Sequence, residues 1–103
     1  MKKIINGRMY NTETAKFIGN YCYLIDSNDF RRFSESLYRK KTGEFFFYGW
    51  GGPMTKYAER GEDPNTWGDG EAITPCTEKE AKEWAEEHLS ADKYIETFGA
   101  VEE

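Results

Sequence analysis

Apolar and polar residues alternate with a period near two in the middle of the chain and near 3.6 towards its C-terminal end. From Phe30 to Arg39 the alternation predicts a strand, with Phe33, Glu35 and Leu37 facing one way and Ser34, Ser36 and Tyr38 the other. Lys40-Lys41-Thr42-Gly43 follows as a hairpin loop, its glycine at the position that favours a left-handed backbone. Glu44–Trp50 then returns as the partner strand, and Gly51-Gly52-Pro53 ends it. The whole stretch, LYRKKTGEFFFYGWGG, makes this second strand apolar on both faces. One small core does not need that much, so the surplus is expected to form a binding surface.

The helical period begins at Thr77-Glu78-Lys79-Glu80, which has the form of a capping box: the threonine hydroxyl serves the Glu80 amide and the Glu80 carboxylate reaches back. Ala81, Trp84, Ala85 and His88 follow at i, i+3, i+4 and i+7, with Leu89 extending the stripe. Ser90 restarts a second helix in which Ala91, Tyr94, Ile95 and Phe98 repeat the spacing, and Gly99 ends it.

The N-terminal third is less regular. Asn6-Gly7 between Ile4-Ile5 and Arg8-Met9-Tyr10 is a strong hairpin signal, because both turn positions need positive φ. Asn11–Gly19 reads as a short helix, capped by Thr12 or Asn11 and stopped by Gly19. Tyr21–Ile25 suits a strand and Asp26–Asp29 a turn. Between Met54 and Gly70 the expectation is one turn at Lys56–Glu59 and a loop over Gly61–Thr66, before a short strand at Glu71–Thr74. The resulting fold class is α+β: a single domain over residues 1–103, its small antiparallel sheet built around the aromatic hairpin and packed on one side by two short C-terminal helices.

Composition sharpens this picture in two respects. Charged residues make up 32% of the chain and aromatics 17%, which suits a folded rather than a disordered protein. The net charge of −5 is unevenly spread: residues 1–56 hold ten Lys/Arg against five Asp/Glu, and residues 57–103 hold four against fourteen. An acidic half of this kind repels nucleic acid and suits a basic partner surface. No apolar run reaches the roughly 18 residues of a membrane span, and MKKII lacks the apolar region of a signal peptide. Cys22 and Cys76 have neither CxxC spacing nor neighbouring histidines, so two free thiols are expected.

Candidate chemistry is sparse. The single histidine, His88, lies on a helix stripe, and no nucleophile motif accompanies it, so no catalytic residue is assigned. Asp63, Asn65 and Gly68 fall at the first, third and sixth positions of a calcium-type loop. Trp67 and Thr74 then stand where the fifth and twelfth ligands belong, so no metal and no cofactor is expected. Gly49-Trp50-Gly51-Gly52 lacks the ending of a phosphate-binding loop. Arg31, Arg32, Arg39, Lys40 and Lys41 among aromatics have the composition of a single-strand stacking platform, the less favoured reading in an acidic protein. Glu78, Glu80, Glu83, Glu86 and Glu87 wind around the exposed side of the first helix, either as a solvated face or as a phosphate-like array.

Taken together, KIINGRMYNTETAKFIG, LYRKKTGEFFFYGWGG, KYAE and ITPCTEKEAKEWAEE resemble a family of small orphan proteins carried on bacterial phages, plasmids and conjugative elements. In that family the position held here by Trp50 is commonly acidic. Some proteins of this sort look like anti-CRISPRs, inhibitors of the RNA-guided nuclease of type II systems. The resemblance therefore implies a non-enzymatic binding protein in the cytoplasm of a bacterial host. Its expected partner is a CRISPR effector nuclease, with or without guide RNA, and a homodimer stays open. The expected contacts are Glu78, Glu80, Glu83, Glu86 and Glu87, with Phe46, Tyr48 and Trp50 as exposed aromatic anchors. The alternative is a nucleic-acid-binding accessory protein that uses the Arg31–Lys41 cations.

Overall fold

The computed structural model describes residues 1–23, 31–52, 56–60, 67–68 and 70–103. Eight strands precede two helices: β1 (Lys2–Ile5), β2 (Arg8–Asn11), β3 (Lys16–Tyr23), β4 (Phe33–Arg39), β5 (Phe45–Gly51), β6 (Glu59–Arg60), β7 (Trp67–Gly68), β8 (Gly70–Cys76), α1 (Glu78–His88) and α2 (Ala91–Phe98). Four of the strands form an antiparallel sheet in the order β3-β4-β5-β8, while β1-β2 and β6-β7 are separate ribbons. This is the expected α+β arrangement, with the aromatic hairpin at the centre of the sheet.

Local chemistry explains the turns. Asn6 and Gly7 have φ of 52° and 76°, the pair of left-handed residues that a tight β1-β2 hairpin requires. In the β4-β5 loop the Gly43 N–H donates to the Lys40 carbonyl at 2.8 Å, and the Lys40 N–H donates to the Glu44 carbonyl at 2.8 Å. At α1 the capping box is complete: the Glu80 N–H donates to Thr77 Oγ1 and the Thr77 N–H to Glu80 Oε1, each at 3.1 Å.

The β register sorts the sheet into two faces. Along the row Tyr21–Glu35–Gly49 and the row Gly19–Leu37–Phe47, side chains point towards the helices. Here Ile18, Leu37, Phe45, Ala81 and Trp84 form the larger core, with Phe47, Leu89 and Phe98 packed against it. Rows through Ser34–Trp50, Ser36–Tyr48 and Tyr38–Phe46 point the other way. At one end of that opposite face Tyr10, Phe46 and Ile73 make a second core, flanked by Ile5, Ala15, Tyr38 and Tyr48. The Tyr10 ring stands edge-on to Phe46 at 5.5 Å, and Tyr38 stacks on Phe46 at 5.3 Å.

Three expectations change. Asn11–Gly19 is not a helix: Asn11 ends β2, residues 12–14 turn, and Gly19 lies inside β3. The capping signal is real but serves the turn, where the Glu13 N–H donates to Asn11 Oδ1 at 2.9 Å. The chain cannot continue helically because Lys16–Tyr23 is paired along its length with β4. The helices cover one face as expected, and the β1-β2 hairpin lies over the far end of the other. The double apolar face of β5 is thereby absorbed: Phe45 and Phe46, on opposite faces, are 4% and 0% exposed. Finally, the Glu71–Thr74 strand extends through Pro75 to Cys76, which an edge strand tolerates. The Asp26–Asp29 turn, the Gly61–Thr66 loop and Asp69 of the calcium-like segment lie outside the described residues.

Candidate functional site

The capping box fixes where α1 begins, and its stripe fixes which side is buried: Ala81, Trp84 and Ala85 face the sheet. That leaves Glu78, Glu80, Glu83, Glu86 and Glu87 exposed on the outer surface. The five are not equivalent. Glu80 is committed to Thr77, whose backbone and then side-chain hydrogen bonds hold its carboxyl below the ordinary value. Glu78 lies 3.6 Å from Lys82, and Glu87 lies 3.6 Å from His88. Glu83 and Glu86 have no ion pair among the described residues. Lys79 and Lys82 share this outer surface, so the five carboxylates form a mixed array with an acidic excess.

The expected aromatic anchors do not join them. Phe46 is fully buried beneath Tyr10 and cannot touch a partner, which corrects its assignment as an exposed anchor. Tyr48 is half-buried and donates to Glu71 at 2.6 Å; that hydrogen bond, then burial, pushes its phenol up to about 12. Trp50 is 40% exposed. Register places Tyr48 and Trp50 on the hairpin face of the sheet, whereas α1 lies on the other. The acids and the aromatics therefore occupy opposite sides of the molecule.

The cations of the rival reading are also divided. Arg31 and Arg32 precede β4, while Arg39 ends it about 23 Å away, at roughly 3.3 Å per strand residue, with Lys40 and Lys41 just beyond. At the loop end they serve the fold. Lys40 Nζ sits 4.2 Å above the Tyr10 ring and 3.5 Å from Glu44, Arg8 pairs with Glu44 at 2.9 Å, and Arg39 lies over Phe45.

One polar cluster could not be found from sequence. Glu35, on the helix face of β4, is 7% exposed, accepts a hydrogen bond from Tyr57 Oη, and pairs with Lys56 Nζ at 2.7 Å. Burial pushes its carboxyl up, but the hydrogen bonds from Lys56 and Tyr57 and the Lys56 charge outweigh this and hold it below the ordinary value. Burial, then the Glu35 contact, pushes the Tyr57 phenol up, so the proton stays on the phenol. The Trp84 indole Nε1 is buried with no hydrogen-bond partner among the described residues, although the Glu35 carboxylate is near enough to feel its dipole. Tyr57 packs on the bare backbone of Gly49, where any Cβ would overlap its ring. His88 stacks on Tyr21 at 3.9 Å and meets Trp84 edge-on at 5.2 Å, a packing role. The sequence signal was an acid on the apolar side of an alternating strand, but its partners lie 21 and 22 residues away.

Cys76 is half-buried, and burial, then Glu80, pushes its thiol up to about 12, so it is protonated and unreactive at neutral pH. Cys22 is free and exposed. Among the described residues no group of three His, Cys, Asp or Glu could hold a metal ion, and no helix is long and apolar enough to cross a membrane. No protein-family model, curated protein or solved structure matches the chain.

Proposed function

We propose that the chain is a non-enzymatic binding protein of a mobile genetic element that inhibits a type II CRISPR effector nuclease by occupying its nucleic-acid groove. The observation that supports this reading is the outer surface of α1. A helix locked by a complete capping box and a buried aromatic stripe holds Glu83, Glu86 and Glu87 in fixed positions towards solvent. Carboxylates held this way offer the spaced negative charge that a groove built for a phosphate backbone attracts. The identity of the partner comes from the resemblance in KIINGRMYNTETAKFIG and ITPCTEKEAKEWAEE. Phe46 has no part in the contact, and Tyr48 and Trp50, on the far side of the sheet, do not share an interface with α1.

The test is a cleavage assay and a co-purification with type II effector nucleases, each with and without guide RNA. The variant is Glu83→Lys, Glu86→Lys, Glu87→Lys, which spares Glu80 because that carboxylate caps the helix. It is expected to fold normally and lose inhibition, while inhibition by the parent weakens as salt rises from about 0.05 to 0.3 M, where charges beyond roughly 10 Å are screened. Inhibition unchanged in the triple variant would refute the reading. So would tight oligonucleotide binding by the parent that is lost on neutralising Arg31, Arg32, Lys40 and Lys41.

A further inference from the structure

Beside the acidic surface, α1 and α2 meet at an angle and leave an open groove of about 350 Å³. Leu89, Tyr94, Ile95 and Val101 line it, and Glu86 stands on its edge. Ile95 is 43% and Val101 57% exposed, and α2 has no buried residue although its apolar stripe is well formed. Only part of that stripe meets the sheet: Phe98 packs on Phe45 and Tyr94 on Phe98. Ile95 is left open to solvent.

The charge around the groove is one-sided. Residues 78–103 hold nine Asp/Glu against three Lys. Two of those lysines are engaged: Lys82 with Glu78 and the Phe98 ring, Lys93 with Glu96. Glu86 is the charged residue that lines the groove, and Glu83 lies one turn back on the same exposed side of α1. An apolar floor beside an acidic helix surface selects an occupant that is apolar on one side and cationic on the other. A helix with a narrow apolar stripe between Lys or Arg residues satisfies both, through helix-in-groove packing.

We infer that the α1-α2 groove binds a basic amphipathic helix of the partner protein, its apolar side seated on Leu89, Ile95 and Val101 and its cations on Glu83 and Glu86. This rests on the reading of α1 as the partner-facing surface. It adds that the partner is engaged through protein and not only through its nucleic-acid-binding charge.

The test is fluorescence anisotropy with a labelled, end-capped peptide of leucine and lysine whose leucines fall at i, i+3, i+4 and i+7. A scrambled peptide of the same composition and a lysine-only peptide are the comparisons. The amphipathic peptide is expected to bind about tenfold or more tightly than either. Ile95→Asp and, separately, Val101→Asp should abolish that advantage, with far-UV circular dichroism unchanged because both side chains are already exposed. Equal binding of all three peptides would overturn the groove while leaving the acidic surface intact as a charge-only contact. No binding by any of them would also overturn it, and the triple-lysine variant in the cleavage assay would then decide the wider reading separately. Self-association of the protein in sedimentation, removed by Ile95→Asp, would assign the groove to a second copy and overturn the partner helix.

Discussion

On one side of the central sheet, Leu37 and Phe45 pack against Ala81 and Trp84 of a capped helix; on the other, Phe46 and Ile73 pack against Tyr10 of a ribbon of two four-residue strands. The helix brings its own hydrogen bonds and spreads its contact over three turns. The ribbon cannot stand alone, since an isolated two-stranded hairpin is marginal in water. Among the described residues it is held by the Tyr10 ring with Ile5 beside it, the Arg8–Glu44 pair and Lys40 above Tyr10. A layer signalled by its own sequence is therefore robust, whereas a layer signalled by its neighbour depends on a few anchors. The same contrast separates what was exposed to reading from what was not.

The strongest way to break the comparison is to remove the ring at the centre of each core. Phe46→Ala and Trp84→Ala should each cost about 3–5 kcal/mol, as truncation of a buried aromatic does. If the two layers form one cooperative unit, both variants should lower a single melting transition. If the ribbon is an independent unit, Tyr10→Ala should release amide protons of β1 and β2 to exchange and leave those of β4 protected. Protection lost equally across β1, β2 and β4 would erase the distinction between the layers.

That distinction accounts for how much of the fold was readable. Thr77, Glu80 and the Ala81–Trp84–Ala85 spacing declare α1 from nine adjacent residues, Thr77 to Ala85, and Asn6-Gly7 declares its turn from two. Asn11–Gly19 misled because Asn11 caps a turn with the same hydrogen bond that starts a helix. Whether the chain then coils or extends was decided by β4, roughly twenty residues further on. The aromatic run at Phe45–Tyr48 suggested a spare surface because nothing local reveals that Tyr10 covers Phe46. For the site, the acids of α1 were readable from helical spacing. Their separation from Trp50 was not, because it depends on which face of the sheet the helix chooses.

A sharper probe of the helix side is Gly49. Tyr57 occupies the space a side chain would need there, so Gly49→Ala must displace the ring and loosen its hydrogen bond to Glu35. The expected loss is about 1–3 kcal/mol, the usual cost of forcing atoms into a filled site. Tyr57→Phe, which keeps the ring and removes only the hydroxyl, should cost less. A Gly49→Ala variant as stable as the parent would show that the ring does not rest on this backbone.

The Glu35 pair also predicts acid sensitivity on the helix side. Its carboxyl is lowered in the folded state, so its contribution is present above the ordinary carboxylate value near 4.5 and is lost as pH falls through the folded value. Its charged and titratable neighbours among the described residues are Lys56 and Tyr57 from the turn and Tyr21 across on β3, with the uncharged Trp84 indole from α1. Glu44 and Glu80 are lowered too and share this acid limb. Glu35→Gln should therefore flatten, but not remove, the fall in melting temperature between about pH 6 and pH 3. An acid limb of unchanged depth would mean that Glu35 carries no share of it.

The smallest effect is expected from the cysteines, and it tests the assignment of faces directly. Cys22 lies on β3 in the row of Ser34 and Trp50, on the hairpin face; Cys76 lies on β8 in the row of Phe45, on the helix face. β3 and β8 are the two edges of the sheet. Three strand spacings of about 4.8 Å part them. That separation alone exceeds the roughly 7 Å between Cα atoms that a disulfide can bridge. Cys22→Ser with Cys76→Ser should therefore leave non-reducing mobility and the melting temperature nearly unchanged. In the parent, a thiol-reactive dye should label Cys22 quickly and Cys76 slowly, because the raised Cys76 thiol presents almost no thiolate at neutral pH. Equal labelling rates would place both thiols in solvent and contradict the seating of α1 over β8, whereas a melting temperature that falls with reductant would require the two edges to meet.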